Sequence, residues 1–298
     1  MLISGLGEFG LIERFRKQIK TDAAVIKGSG DDCAVLKFNK LYHQLYTCDM
    51  IVEGVDFTRK DDPYLIGRKV IAISLSDIAS CGGIPRHCVI SLGMPKSTGT
   101  KFIDRLFKGM LDIARLYKVN IVGGDLSRTQ KLVLDVSMLG LVEAKHLVLR
   151  SGAKAGDIIL VTGSFGGSIH GKHLRFTPRL KEAGYLVNKF SVHAMIDVSD
   201  GLTQDLWHIA RESRVGARIY QGRVPMSKDC ANIEDALYSG EDFELLFTVS
   251  AKDAAKLLRI KPREYTAIGE VVEKKYGLKS VDNKGRVKLL RPKGFRHF

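Results

Sequence analysis

What this sequence lacks narrows it first. Its five cysteines (Cys33, Cys48, Cys81, Cys88 and Cys230) form no Cys-x-x-Cys pair and no even-numbered framework. That pattern argues against a zinc site or a disulfide scaffold and points to reduced thiols in a cytoplasmic protein. No apolar run approaches the ~20 residues of a membrane span, and the first residues lack the basic-then-apolar build of a signal peptide. A soluble protein with no membrane partner is expected. The usual nucleophile signatures are absent as well: there is no Gly-x-Ser-x-Gly elbow, no His-Glu-x-x-His and no cysteine–histidine pattern of family spacing. His193 and His208 are isolated and read as surface or core histidines.

Charge asymmetry is missing too. The formal charge of +14 and the pI near 9.5 invite a nucleic-acid reading, because basic faces attract phosphate polyanions. The distribution opposes it. Residues 1–150 hold 22 Lys+Arg against 16 Asp+Glu, and residues 151–298 hold 25 against 17, so neither half is a basic arm. A solvated basic surface fits better, with nucleic acid kept as the rival of a different class. Two glycine motifs also fail on context. Gly5-Leu6-Gly7-Glu8-Phe9-Gly10 spells Gly-x-Gly-x-x-Gly, but no strand precedes it, and Gly166 to Lys172 ends on His173 where a P-loop needs Ser or Thr.

What the chain does have is acid at the ends of apolar stretches. Gly30-Asp31-Asp32 follows Ala23-Ala24-Val25-Ile26, and similar turns return at Cys48-Asp49, Gly123-Gly124-Asp125, Asp197-Val198-Ser199-Asp200-Gly201 and Gly240-Glu241-Asp242. Asp77 lies in a helix-like stretch of small and apolar residues. Carboxylates gathered together repel, so a fold that collects them usually holds hard cations, and Mg²⁺ prefers oxygen ligands. Ordinary explanations stay open for single motifs: Ser74 holding Asp77, a plain turn at Gly123-Gly124, and Asp200 as a helix cap. Carboxylates, glycine turns and few basic residues suit phosphoryl transfer. They suit best a phosphate acceptor, which with a second pKa near ~6 is already anionic and needs no general base.

Periodicity predicts an amphipathic helix within residues 1–20 with Leu11, Ile12, Phe15 and Ile19 on its apolar face. Strands are predicted at 45–52, 87–92, 119–122 and 132–141, with helices from Pro63 to about Cys81 and from Lys101 to Tyr117. The polar, glycine-punctuated stretch at 144–156 marks a domain boundary, giving domains 1–145 and 146–298. Strands follow at 157–163, 217–220, 244–249 and 266–272, with helices at 202–213 and 251–258. Mixed strands and helices in both halves make the chain α/β and α+β.

The ordered set of segments Gly7–Ile12, Gly30–Ala34, Asp49–Val55, Leu75–Ala79, Gly123–Asp125, Arg150–Lys154, Ile196–Leu202 and Ser239–Leu245 spans nearly the whole chain. With the terminal Gly294–Phe298, it resembles the thiamine-monophosphate kinases. Their superfamily also contains aminoimidazole ribonucleotide synthetase, selenophosphate synthetase and a hydrogenase-maturation protein. The resemblance implies a two-domain fold of mixed sheets with helices packed on them: an N-terminal α/β domain that pairs across a homodimer, and a C-terminal α+β domain that covers the site. It implies ATP-dependent, Mg²⁺-dependent conversion of thiamine phosphate to thiamine diphosphate by direct in-line transfer. Several Mg²⁺ ions are implied, and a monovalent cation is compatible with the pattern. By position, Asp32, Thr47, Cys48, Asp49, Asp77, Asp125, Asp197 and Asp200 would hold the metals. Gly124, Asp125, Arg150 and Ser199 would touch ATP, and Asp56, Glu241 and Pro292 would meet the thiamine part. Four departures bear on substrate binding: Asp56 in place of a common His, Ser74 in place of Asn, Pro292 in place of a stacking aromatic, and a short segment between Gly163 and Pro178. The alternative within the superfamily is a member acting on another phosphate or amide. No reactive cysteine lies in a glycine-rich lead, and no cysteine ends the chain, which disfavours the selenophosphate and hydrogenase-maturation roles.

Overall fold

A computed structural model describes residues 3–295; Arg296, His297 and Phe298 of the expected closing run lie outside the described residues. The first half contains α1 (Ile3–Arg16), β1 (Val25–Lys27), β2 (Ala34–Lys37), β3 (Tyr42–Val52), α2 (Pro63–Ser80), β4 (Ile84–Met94), α3 (Thr100–Leu116), β5 (Asn120–Arg128) and β6 (Val133–Glu143). Its six strands run in the order β1-β2-β3-β6-β4-β5. Every neighbouring pair is antiparallel except β4–β5, which the α3 crossover makes parallel. Along β6 burial alternates strictly, with Leu134, Val136 and Met138 turned inward. One face of the sheet is therefore core and the other open.

α2 is the element on which both halves pack. Pro63 opens it, and Asp62 caps it by accepting the Tyr64 N–H at 3.0 Å. Its run from Val70 to Ser76 is buried all round, as a helix between two layers must be. A Cβ on Gly67 would lie 1.9 Å from the Leu106 carbonyl oxygen, and one on Gly109 would lie 1.9 Å from that of Tyr64. The two glycines thus allow α2 and α3 to touch backbone to backbone.

The second half adds β7 (Ile158–Thr162), α4 (Lys172–Arg175), α5 (Leu180–Lys189), β8 (Val192–Asp197), α6 (Leu202–Ser213), β9 (Gly216–Tyr220), α7 (Ile233–Tyr238), β10 (Leu245–Val249), α8 (Ala251–Ile260), β11 (Tyr265–Val272), β12 (Leu278–Val281) and β13 (Val287–Leu289). Its sheet runs β13-β12-β9-β11-β7-β10-β8. β10 is buried along its whole length because both faces are covered. Leu206 and Ile209 of α6 pack with Ile159 and Leu246 on one face, and Leu186 and Leu257 pack with Leu160 and Phe247 on the other. Leu174, Phe176 and Phe243 join the core of the first half across the seam, where Phe176 stacks on Phe243 at 4.0 Å. Among the described residues no helix is long and apolar enough to cross a membrane.

Two expectations are corrected. Gly123-Gly124-Asp125 is no turn: β5 runs straight through it, and a Cβ on Gly124 would lie 1.9 Å from the Ile90 carbonyl oxygen of β4. Glycine is required there for strand contact. α1 forms, but it bends at Gly7 (φ +69°), and Ile12, Phe15 and Ile19 stay exposed. About half of each of these side chains stays open to solvent.

Candidate active site

The acids converge where α2 meets β8 and the turn before β2. Ligand-type oxygens of Asp32, Asp77 and Asp197 all lie within 4.8 Å of one another. These residues come from a loop, a helix and a strand end in two halves of the chain, so folding has assembled like charges that water would otherwise keep apart. Burial raises Asp77 well above the usual carboxylate range, with Asp49, Asp197 and Asp32 adding to the effect. Burial, then the Asp32 charge, brings Asp197 to about 8. Asp49 rises to about 6 through burial, against hydrogen bonds from Ser74 and Asp77. Without a counter-cation the cluster must therefore hold protons at neutral pH.

Hydroxyls fix three of the carboxylates. Thr47 donates to Asp77, Ser74 Oγ to Asp49 at 2.8 Å and Ser76 Oγ to Asp197 at 2.6 Å. The Ser74 contact thus serves Asp49 rather than Asp77. Arg150 closes the other side, its Nε and Nη2 donating to Asp32 Oδ1 at 2.9 and 2.5 Å while its N–H reaches Asp31 at 3.2 Å. Burial alone would weaken the guanidinium's hold on its proton, but the Asp32 charge outweighs that and raises it. Asp31, which was read as part of the turn only, is pushed up to about 7 by burial and then by Asp32. The second oxygen of Asp32 is buried and makes no hydrogen bond among the described residues. An unpartnered buried carboxylate oxygen, on a residue grouped with two further carboxylates, is what a hard divalent cation satisfies. The donor set fits Mg²⁺.

Asp200 belongs to an adjoining group with Asp205 and His208. It does not cap α6 with its side chain; instead Asp205 accepts the N–H groups of Asp200 and Gly201 at 3.1 Å each. The backbone oxygen of Ser199 accepts the Glu241 N–H at 2.7 Å, tying this turn to the next one. His208 is a buried core histidine set edge-on to Phe9 at 5.2 Å, and burial lowers its pKa to about 3. His193 is held by Asp157 at 2.8 Å.

Four expected site residues lie elsewhere. Cys48 follows the two-residue alternation of β3: Thr47 and Asp49 face α2, so Cys48 faces the open side, where its thiol donates to Asp135 at 3.2 Å. Asp125 sits three strands from β3 on that same open side, in register with Ser91, Asp135 and Met50 in turn. With Gly124 it is exposed. Pro292 lines a separate groove with Trp207 and Arg211. Thr203 Oγ1 holds the Lys293 carbonyl at 2.9 Å, and the Phe295 N–H donates to the Asp200 carbonyl at 2.9 Å, so among the described residues of this closing run it is Gly294 and Phe295 that line the neighbouring pocket.

That pocket has a volume of ≈ 370 Å³ and is lined by Val55, Asp56, Ser168, Tyr238, Glu241 and Phe295, among others. Asp56 turns one carboxylate oxygen back to the Val52 N–H at 2.7 Å. Glu241 (φ +63°) and Phe243 (φ +50°) both adopt the left-handed backbone that side chains disfavour. Such strain needs strong surroundings and gathers at functional sites. They are present. Ser168 Oγ holds the Gly240 carbonyl at 2.7 Å, Lys172 bridges Asp242 at 3.2 Å and Glu244 at 2.9 Å, and Arg179 grips Glu244 with contacts of 2.6 and 2.8 Å. The short Gly163–Pro178 segment therefore clamps the acidic turn. Lys69, wholly buried in α2 and bonded to Glu241, escaped the reading of the sequence. Its signal was its position three residues after Ile66, on the buried face of the helix.

Comparison with known proteins agrees with this arrangement. The AIR synthase related protein N-terminal domain matches residues 30–142, and the C-terminal domain of the same family matches residues 154–280. A thiamine-monophosphate kinase of Buchnera aphidicola subsp. Schizaphis graminum is 35% identical over 98% of both chains. The solved structure described as AaThiL complexed with AMPPCP and TMP superposes with a TM-score of 0.87 at 31% identity, covering 100% of this chain and 99% of the other. That of thiamine monophosphate kinase from Aquifex aeolicus gives 0.81 at 30% identity, covering 97% and 100%. With both domain models matched in order and identity sustained from end to end, the chain belongs to the thiamine-monophosphate kinases of the AIR synthase related family.

Proposed function

We propose that this protein transfers the γ-phosphoryl group of ATP to thiamine phosphate, giving thiamine diphosphate and ADP. The observation that carries the reading is the convergence of buried Asp32 and Asp197 with half-buried Asp77, without enough counter-charge, beside a pocket whose wall shares the Ser199–Glu241 backbone contact. Asp32, Asp49, Asp77, Asp197, Asp200 and the Thr47 hydroxyl would hold Mg²⁺. When bound there, Mg²⁺ supplies neutralisation of the phosphate charge between donor and acceptor. The protein's own part is positioning. Arg150 and Ser199 bind the nucleotide, and Arg150 can exchange its Asp32 partner for a phosphate oxygen, which matches its fork equally well. The acceptor's terminal phosphate is dianionic above its second pKa of ~6, so the transfer needs no general base. No histidine or cysteine nucleophile is required.

The division at 145/146 is part of this reading, supported by the change of sheet between Glu143 and Ile158. So is a homodimer. β5 is an edge strand of nine residues with Val122 and Leu126 62% and 71% exposed, and an edge of that kind is normally covered. Gly124 and Asp125 lie on it, so they would reach a nucleotide or metal through the assembled dimer. A cytoplasmic protein is consistent with five free cysteines. The test is to incubate the protein with ATP, Mg²⁺ and thiamine phosphate and separate the products by chromatography. Thiamine diphosphate is expected in step with ADP, and ADP release without it overturns the assignment.

A further inference from the structure

Among the largest fully buried side chains of the described residues, one is charged. Lys69 is 1% exposed, in the middle of α2, with Val70 and Ile66 beside it. Its ammonium donates to the Asp56 carbonyl oxygen at 2.8 Å and to Glu241 Oε1. Asp56 and Glu241 both line the ≈ 370 Å³ pocket, one from the first half of the chain and one from the second. Lys69 itself does not line it.

A lysine so deep costs the fold unless its charge is compensated and its protons are used. A surface cation would serve stability better, and a methionine of similar length would fill the same space. What the ammonium does that methionine would not is bind two pocket walls at once. It draws the Glu241 carboxylate, whose side chain stays 29% exposed, into one orientation. It also fixes the backbone at Asp56, where the carboxylate is already folded back onto Val52. Glu241 sits in a strained left-handed conformation on a turn that is otherwise fastened through its neighbours, by the Ser168 hydroxyl at Gly240 and by Lys172 and the Gly166 N–H at Asp242. An unrestrained glutamate there has rotamer freedom to lose on binding.

We propose that Lys69 is a positioning residue for the acceptor pocket, holding Glu241 and the Asp56 backbone across the seam so that the pocket is preorganised for a cationic heteroaromatic phosphate ester. The inference rests on the acceptor assigned above. Glu241 keeps one carboxylate oxygen for a ligand while the other is occupied by Lys69, which makes it a hydrogen-bond acceptor of fixed direction. The nucleotide side of the site depends on Arg150 and the acid cluster, which Lys69 does not touch.

Steady-state kinetics of the full chain decide it, with thiamine phosphate and ATP varied separately for the wild type, Lys69→Met, Glu241→Gln and the double variant. Wild type that forms no thiamine diphosphate ends the acceptor assignment itself and is read before any variant. Given an active wild type, Lys69→Met is expected to raise KM for thiamine phosphate at least tenfold, with KM for ATP within twofold and kcat within threefold. The double variant is expected to match Glu241→Gln within threefold, because the two residues act as one unit. Equal rises in both KM values, an unchanged KM for thiamine phosphate, or multiplying effects in the double variant would overturn the proposal. If Lys69→Met alone does not fold, the double variant, which leaves no lone buried charge, still supplies the comparison with Glu241→Gln.

Discussion

The acid cluster and the acceptor pocket lie side by side on the seam and handle buried charge in opposite ways. In the cluster, Asp32, Asp77 and Asp197 face one another with Arg150 as their near cation, and the balance is left to protons or to metal. In the pocket wall, Lys69 meets Glu241, and Lys172 and Arg179 meet Asp242 and Glu244. Burial lifts Asp242 to about 6 against the pull of Lys172, whereas Glu244 ends below the ordinary range because Arg179 and Lys172 outweigh its burial. One region is completed by what binds it; the other arrives already neutral. The first should answer to metal and pH, and the second to substitution of its own side chains.

The sharpest way to break this contrast is Asp77→Asn or Asp197→Asn. Each removes a carboxylate that a cation needs, and turnover is expected to fall by about a thousandfold, since lost metal electrostatics are worth several kcal/mol in the transition state. Circular dichroism should remain that of the wild type. Turnover near the wild-type value would make these acids structural.

Next in size is the dependence on pH without metal. Asp197 and Asp31 hold their protons to about 8 and about 7 in the fold, against 3.8 for an ordinary aspartate. The folded state thus binds more protons than the unfolded chain between about pH 4 and 8. Stability from this source is complete below pH 4 and is lost as pH rises through 7 and 8. In EDTA, Tm is expected to drop by about 5 °C from pH 5.5 to 8.5. Added Mg²⁺ should restore more of it at pH 8.5 than at 5.5, because it replaces protons already gone. A Tm in EDTA that does not fall over this range contradicts the picture.

A smaller effect is expected at the pocket rim. Asp56→Ala releases the Val52 N–H and should raise KM for thiamine phosphate about fivefold, or about 1 kcal/mol, the net scale of one ordinary intramolecular hydrogen bond. Equal shifts in both KM values would count against a role on the acceptor side. Smallest of all, Cys48→Ser should change kcat/KM less than twofold, since its side chain faces away from the cluster. A tenfold loss would mean that the open face of the sheet is part of the site.

The cluster was legible because an aspartate ending an apolar stretch has no reason to be there unless the fold uses it. Asp32, Asp49 and Asp197 announced themselves in that way, and Asp77 by lying inside a helix-like stretch of small and apolar residues. Cys48 and Asp125 lie apart from them, and only strand geometry shows it: one step along β3 reverses the face, and Asp125 sits on that open face three strands from β3. Gly123-Gly124 read as a turn because paired glycines usually are one. A close contact between neighbouring strands makes the same demand, and the text does not say which neighbour imposes it. Lys69 was hidden for a related reason. A lysine in a helix reads as solvated until its partner is known, and Glu241 lies 172 positions further along the chain.

The paired glycines of α2 and α3 carry a mechanical consequence. With no side chain between Gly67 and Leu106 or between Gly109 and Tyr64, the two helices have no soft layer on which to slide, and they behave as a single beam. Asp77 and Lys69 ride on that beam. They are therefore held at one fixed spacing, an anvil that the Gly163–Arg179 strap and the turn it grips face from the other half of the chain.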